Sequence, residues 1–150
     1  MSPTPPRTNQ ARTRRILLVV AAVLIDREGQ ILVAQRPEGK SYAGWWEFPG
    51  GKVERDESPE RALVRELGEE LGIEALEEDL EPFTFISTDC GSFHLLMPVY
   101  LLQHWEGTPT SRENQTLAWI RPEALGGLQL LKPDLPLVPR LEAYFQRFSP

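Results

Sequence analysis

Residues 51–73 read GKVERDESPERALVRELGEELGI, and this stretch decides how the rest of the chain is read. Ser58 is an N-cap residue, Pro59 suits the first helical position and Glu60 the first turn. Gly72 supplies a C-terminal stop after Leu71, so the spacing predicts a helix from Pro59 to Leu71. At about 100° per residue, Glu66, Glu69 and Glu70 fall within an arc of roughly 100°, opposite Leu63, Val64, Leu67 and Leu71. Three carboxylates at i, i+3 and i+4 repel one another by a few tenths of a kcal/mol per pair. Taken alone, such a triplet reads as a solvated acidic face.

The flanking residues ask for more than that. Just upstream, Pro49-Gly50-Gly51 lets the backbone turn sharply and come close to a ligand. Glu57 and Arg65 are spaced to hold that loop against the helix by a charge-assisted bond. Clustered carboxylates with backbone carbonyls suit a hard cation such as Mg2+ rather than zinc.

Outward from this segment, the chain alternates short apolar runs with turns. Ile16–Ile25 and Ile31–Gln35 flank a Gly-containing turn and predict a strand pair. Residues 36–44 read as a loop and Trp45–Phe48 as a short extended segment. Pro82–Thr88, Phe93–Leu102 and Thr116–Ile120 predict further strands. Residues 134–148 carry helical spacing (Leu137, Leu141, Tyr144, Phe145, Phe148), with Pro139 in tension because proline inside a helix removes a hydrogen bond. Strands around two helices predict an α/β fold, an α-β-α sandwich with a mixed β-sheet. Residues 1–14, rich in Pro, Thr, Arg and Asn, predict a disordered tail before one domain spanning 15–150.

The 150 residues carry a net charge of −6, which argues against a nucleic-acid polymer as the main partner. An acidic protein that binds an anionic nucleotide needs bridging cations. Cys90 is the one cysteine, expected as a small buried hydrophobe. The apolar run after Arg14-Arg15 is too short to span a membrane and lacks small residues for signal cleavage, so a cytoplasmic protein is expected.

The pattern Gly51-x5-Glu57-x7-Arg65-Glu66-Leu67-x-Glu69-Glu70-x-Gly72-Ile73 resembles the Nudix box at every position. Glu47-Phe48-Pro49-Gly50-Gly51-Lys52 and Trp105-Glu106-Gly107 resemble its MutT subfamily, which removes 8-oxo-dGTP from nucleotide pools. The resemblance implies metal-assisted attack of water on a nucleoside triphosphate, giving a monophosphate and pyrophosphate. It implies that Glu66, Glu69 and Glu70, the Gly50 carbonyl and Glu113 hold Mg2+ (Mn2+ substituting), with Arg65 and Glu57 orienting the box. Arg36 matches a phosphate-contacting arginine and Phe48 a residue of the base pocket.

Asp134 falls where such enzymes carry a base-reading asparagine. An ionised aspartate only accepts hydrogen bonds, and the position reads equally as a helix N-cap. Phe93 falls where some relatives have a base-contacting arginine. For Tyr42, Trp45 and Trp46, packing is preferred over base stacking, and His94 and His104 receive no role. The expected partner is a small nucleotide, with neither nucleic-acid polymer nor membrane, in a monomer or homodimer. Other substrates within the same chemistry are a pyrimidine triphosphate, a dinucleoside polyphosphate and a nucleotide sugar. A non-catalytic nucleotide-binding module is the remaining alternative, although such modules usually lose box carboxylates that this chain retains.

Overall fold

The computed structural model describes residues 14–147, so the expected N-terminal tail and Phe148 lie outside the described residues, save Arg14. The first strand, β1 (Arg15–Leu24), is apolar along almost its whole length, and Val20–Leu24 are buried. A strand buried on both faces belongs in the middle of a sheet. It pairs antiparallel with β4 (Gly50–Lys52) on one side and parallel with β6 (Phe93–Leu102) on the other. β5 (Glu81–Asp89) closes the far edge, giving a mixed four-stranded sheet in the order β4-β1-β6-β5.

The expected hairpin between the first two strands does not form. β2 (Ile31–Gln35) pairs with β3 (Trp46–Glu47) and β7 (Thr116–Ile120) in a separate antiparallel sheet. Only an isolated bridge, Ile25 to Ile31, links the turn ends. The Gly29 turn reverses the chain, but β1 has already committed both its edges to β4 and β6.

Helix α1 (Pro59–Leu71) has the predicted bounds and caps: Ser58 Oγ accepts from the Arg61 amide, and Gly72 takes the left-handed conformation at φ 69°. Leu63, Leu67 and Leu71 are fully buried against Val20, Ala22, Leu24, Tyr100 and Leu102. Each leucine contributes about 1.5–3 kcal/mol by burial. A second core lies on the other face of the four-stranded sheet, where Val23, Met97 and Val99 meet Phe48, Leu137 and Leu141.

The C-terminal helix, α2 (Leu137–Arg147), begins three residues later than its periodicity suggested, after a 3-10 turn at Lys132–Asp134. Pro139 thereby falls in the first turn, where backbone N–H groups lack helical partners in any case, and the tension disappears. The mixed sheet between α1 and α2 is the expected sandwich. Cys90 is exposed at the turn joining β5 to β6, contrary to the expected burial. The turn's polar Asp89-Cys90-Gly91-Ser92 sequence governs its place more than the thiol's hydrophobicity. Among the described residues, no helix is long and apolar enough to cross a membrane.

Candidate active site

A cleft of about 370 Å³ opens beside β4 and the acidic face of α1. Its polar wall holds Arg36, Glu47, Glu66, Glu70, Glu113 and Asp134, and Phe48, Leu95, Met97, Leu131 and Pro133 supply apolar surface. These residues come from strands, the helix and two loops, and the fold gathers them at one place.

Two adjacent glycines bring the backbone to the carboxylates. A Cβ on Gly50 would collide with the Val20 carbonyl, and one on Gly51 would run into the Glu66 carboxylate. Gly50 N–H donates to Glu70 Oε2 at 3.1 Å, so the strand and helix are tied at the site. Arg65 fixes the remaining geometry. It donates to Glu57 Oε2 at 3.1 Å and to Glu57 Oε1 at 2.7 Å, and reaches the Lys52 carbonyl at 3.1 Å. Its Nη1 is shared between Glu66 and Glu69, at 3.1 and 3.2 Å. The expected Glu57–Arg65 bond is thus present, and Arg65 holds Glu57 below the ordinary carboxylate range.

Glu113 arrives on the loop before β7, which is pinned to the C-terminal end of α1. The Thr110 amide donates to the Leu71 carbonyl at 3.0 Å and the Arg112 amide to the Glu70 carbonyl at 2.9 Å. These bonds satisfy two of the helix's terminal carbonyls. The Arg112 guanidinium lies against Gly72, where a cation also complements the helix dipole.

The electrostatics identify what the cluster lacks. Burial, then the Glu66 charge, pushes the Glu70 carboxyl up to about 8 despite its bond from Gly50, with Glu113 and Glu47 adding to the rise. Glu66 is raised as well, first by burial, while Arg65 opposes the rise. Bare carboxylates crowded in this way are unfavourable, and a hard cation would reverse each repulsion. The all-oxygen donor set therefore fits Mg2+ or Mn2+. As they stand, no three acidic, His or Cys side chains among the described residues form a closed metal nest. Glu69 is exposed, turned to Arg65 and outside the cleft, so its carboxylate would have to swing towards the cleft to join Glu66 at a cation.

At the other end of the cleft, Asp134 is 5% exposed and its Oδ2 accepts the Phe48 amide at 3.1 Å. It caps no helix, because α2 starts at Leu137. Burial pushes its carboxyl up to about 7, against the Phe48 bond and with the Glu47 charge adding to the rise. Glu47 is itself raised by burial and bonds Arg36 at 3.2 Å. Arg36 also donates to Ser41 O at 2.7 Å and Ser41 Oγ at 3.3 Å. Those three bonds leave two of the five guanidinium N–H groups for a ligand.

Sequence reasoning missed Glu47, although its place between Trp46 and Phe48 in a segment leading to the glycines was a usable signal. Phe93 does not line the cleft but packs on the core beneath it. Trp46 is partly buried against that same core, Trp45 packs edge-on against Tyr42, and Tyr42 is 64% exposed. His94 bonds Ser87, and His104 lies away from the cleft.

The chain is similar to known proteins over most of its length. The NUDIX domain model matches residues 15–141. The CTP pyrophosphohydrolase of Escherichia coli is 42% identical over 85% of this chain and 91% of its own length. The 8-oxo-dGTP diphosphatase of Haemophilus influenzae is also 42% identical, over 85% of this chain and 93% of its own. Among solved structures, the E. coli ORF135 protein superposes with a TM-score of 0.80 at 37% identity, covering 92% of this chain and 96% of that one. A MutT from work on Aliivibrio salmonicida and Vibrio cholerae gives 0.77 at 32%, covering 87% and 100%.

Proposed function

This chain belongs to the NUDIX family, whose hydrolases cut phosphoric anhydride bonds, and from that premise we propose that it converts a nucleoside triphosphate to its monophosphate and pyrophosphate with Mg2+. The preferred substrate in this reading is 8-oxo-dGTP. The observation that carries the proposal is the convergence, in one cleft, of a raised acidic cluster, an arginine with two donors left over and a buried carboxyl.

Glu66, Glu69 and Glu70 would hold the cation with Glu113 and the Gly50 carbonyl. The chemistry it would supply is Lewis acidity, which makes the attacking water a better nucleophile and offsets charge on the departing pyrophosphate. Water adds its oxygen to the phosphorus, the P–O anhydride bond breaks, and a carboxylate of the cluster takes the proton. Arg36 steadies the phosphates with its two remaining donors while Glu47 and Ser41 fix its plane. Arg65 orients the glutamates and does no chemistry. Phe48 and the apolar wall pack the base, and Asp134 reads its edge.

Asp134 in the neutral form both donates and accepts, which matches O6 and N7–H of 8-oxoguanine together. A second reading keeps the chemistry and exchanges the base for cytosine. It is favoured by the relative named CTP pyrophosphohydrolase and by the ionised form of Asp134, which would accept from an amino group. Purified protein with Mg2+ against 8-oxo-dGTP, dGTP and CTP, with products identified, separates the two. Activity that survives EDTA would exclude the metal mechanism.

A further inference from the structure

Among the described residues, the one buried side-chain nitrogen or oxygen left without a hydrogen-bond partner is Oε1 of Gln115. An amide oxygen withdrawn from water with no donor costs free energy, and in a folded chain it calls for a reason. Its place supplies one. Gln115 follows Glu113 by two residues, immediately before β7, on the loop that the Thr110 and Arg112 amides pin to the end of α1. Side chains alternate along a strand. Leu117 and Trp119 pack in the core beneath α1, whereas Ala118 and Ile120 pack in the other core. Gln115 continues the first set, so it stands on the α1 side.

The register sharpens the placement. Gln35 pairs with Thr116, and one further step sets Gln115 across from Arg36. Glu47, paired with Ala34, lies on the same side in the adjoining row, because cross-strand partners share a face. Glu70 feels the charges of both Glu47 and Glu113, so all of these residues stand about one space. What they lack is a donor for the Gln115 oxygen. Ionised carboxylates only accept. Arg36 gives three of its N–H groups to Glu47 and Ser41, and the other two do not reach Gln115. Ionised phosphates bring no donor either. Water on a hard cation does, and Mg2+ gives up its hydration reluctantly, keeping several waters.

We propose that Gln115 is a positioning residue of the cation site, whose amide oxygen accepts a hydrogen bond from water in the cation's shell. The proposal rests on the Mg2+ reading above and adds to it a residue that is not itself a ligand. As the chain stands, that oxygen is closed off from the cleft. A side-chain rotation that brings it there gives up no hydrogen bond and relieves the cost of its burial.

The test is calorimetric Mn2+ binding to the full chain without nucleotide, alongside the melting temperature in EDTA. Gln115→Met keeps the length of the side chain and loses the acceptor. It should bind Mn2+ at least about tenfold more weakly, while its melting temperature in EDTA equals or exceeds that of the wild type. Gln115→Glu retains the acceptor and should bind Mn2+ at least as tightly as the wild type. Glu70→Gln should weaken binding too, which identifies the measured ion as the one in the cleft. Unchanged affinity in Gln115→Met would overturn the proposal. So would a loss accompanied by a lower melting temperature, which would make Gln115 a packing residue, or an equal loss in Gln115→Glu. A wild-type chain that binds no Mn2+ would overturn the metal reading itself, and this proposal with it.

Discussion

Asp134 is the residue at which stability and the proposed base specificity meet. Its carboxyl is raised from about 3.8 unfolded to about 7 folded, chiefly by burial. The folded chain therefore holds that proton more tightly than the unfolded chain does. The Asp134 contribution to stability is greatest below pH 4, falls as pH rises towards 7, and levels off above it. Asp134→Asn keeps an acceptor for the Phe48 amide but does not ionise. Its unfolding free energy in chelator should match wild type near pH 4 and exceed it increasingly up to pH 7, by on the order of a few kcal/mol. A constant difference across that range would mean that Asp134 does not titrate there. In the proposed function the same proton sets the base preference. Preference for 8-oxo-dGTP over CTP should fall as pH rises through about 7 in the wild type and stay flat in Asp134→Asn, read as the ratio of kcat/KM values. Glu70 behaves alike for a different purpose: Glu70→Gln retains an acceptor for Gly50 N–H and removes a charge from the crowd. It should lower kcat by orders of magnitude while raising the melting temperature of the metal-free protein at pH 8. Loss of activity through unfolding would return Glu70 to a structural role.

At the scale of elements, α1 and the loop before β7 act as one unit. The helix supplies Glu66, Glu69 and Glu70, and its last carbonyls receive the amides of Thr110 and Arg112 that aim Glu113. Gly72 sits at the joint, and a Cβ there meets both a left-handed backbone and the Arg112 guanidinium. Gly72→Ala should cost about 1–2 kcal/mol in stability and weaken Mn2+ binding measured by calorimetry. Arg112→Ala should weaken Mn2+ binding with little backbone strain. If Arg112→Ala binds Mn2+ like wild type, the loop is positioned by its backbone alone. The helix was legible because cap, proline and terminal glycine all lie within the helix's own sequence. The strands were legible by their apolar runs, but their partners were not. Nothing in β1 reveals that β4 and β6 hold both its edges, so a nearby turn suggested a hairpin with β2 that does not exist. Glu47 escaped notice for a related reason: its importance comes from Asp134 and Arg36, which only the fold brings beside it.

The whole molecule divides its labour between two sheets. The mixed sheet carries α1 on one face and α2 on the other, and the smaller antiparallel sheet closes the second core. The cleft sits where β4, α1 and the turn before α2 converge, so residues spread from Arg36 to Asp134 line one cavity. The acidic box was readable as a contiguous motif, whereas Phe48 and Asp134 were named only through the family resemblance and their contact, which spans 86 residues, was not legible. The central claim is that this cleft hydrolyses a nucleoside triphosphate between its α and β phosphates. Its most direct test is phosphorus NMR of 8-oxo-dGTP incubated with the purified chain and Mg2+. The account predicts 8-oxo-dGMP and pyrophosphate in equal amounts, with no reaction in EDTA. Release of orthophosphate with 8-oxo-dGDP, or turnover undiminished in chelator, would contradict it.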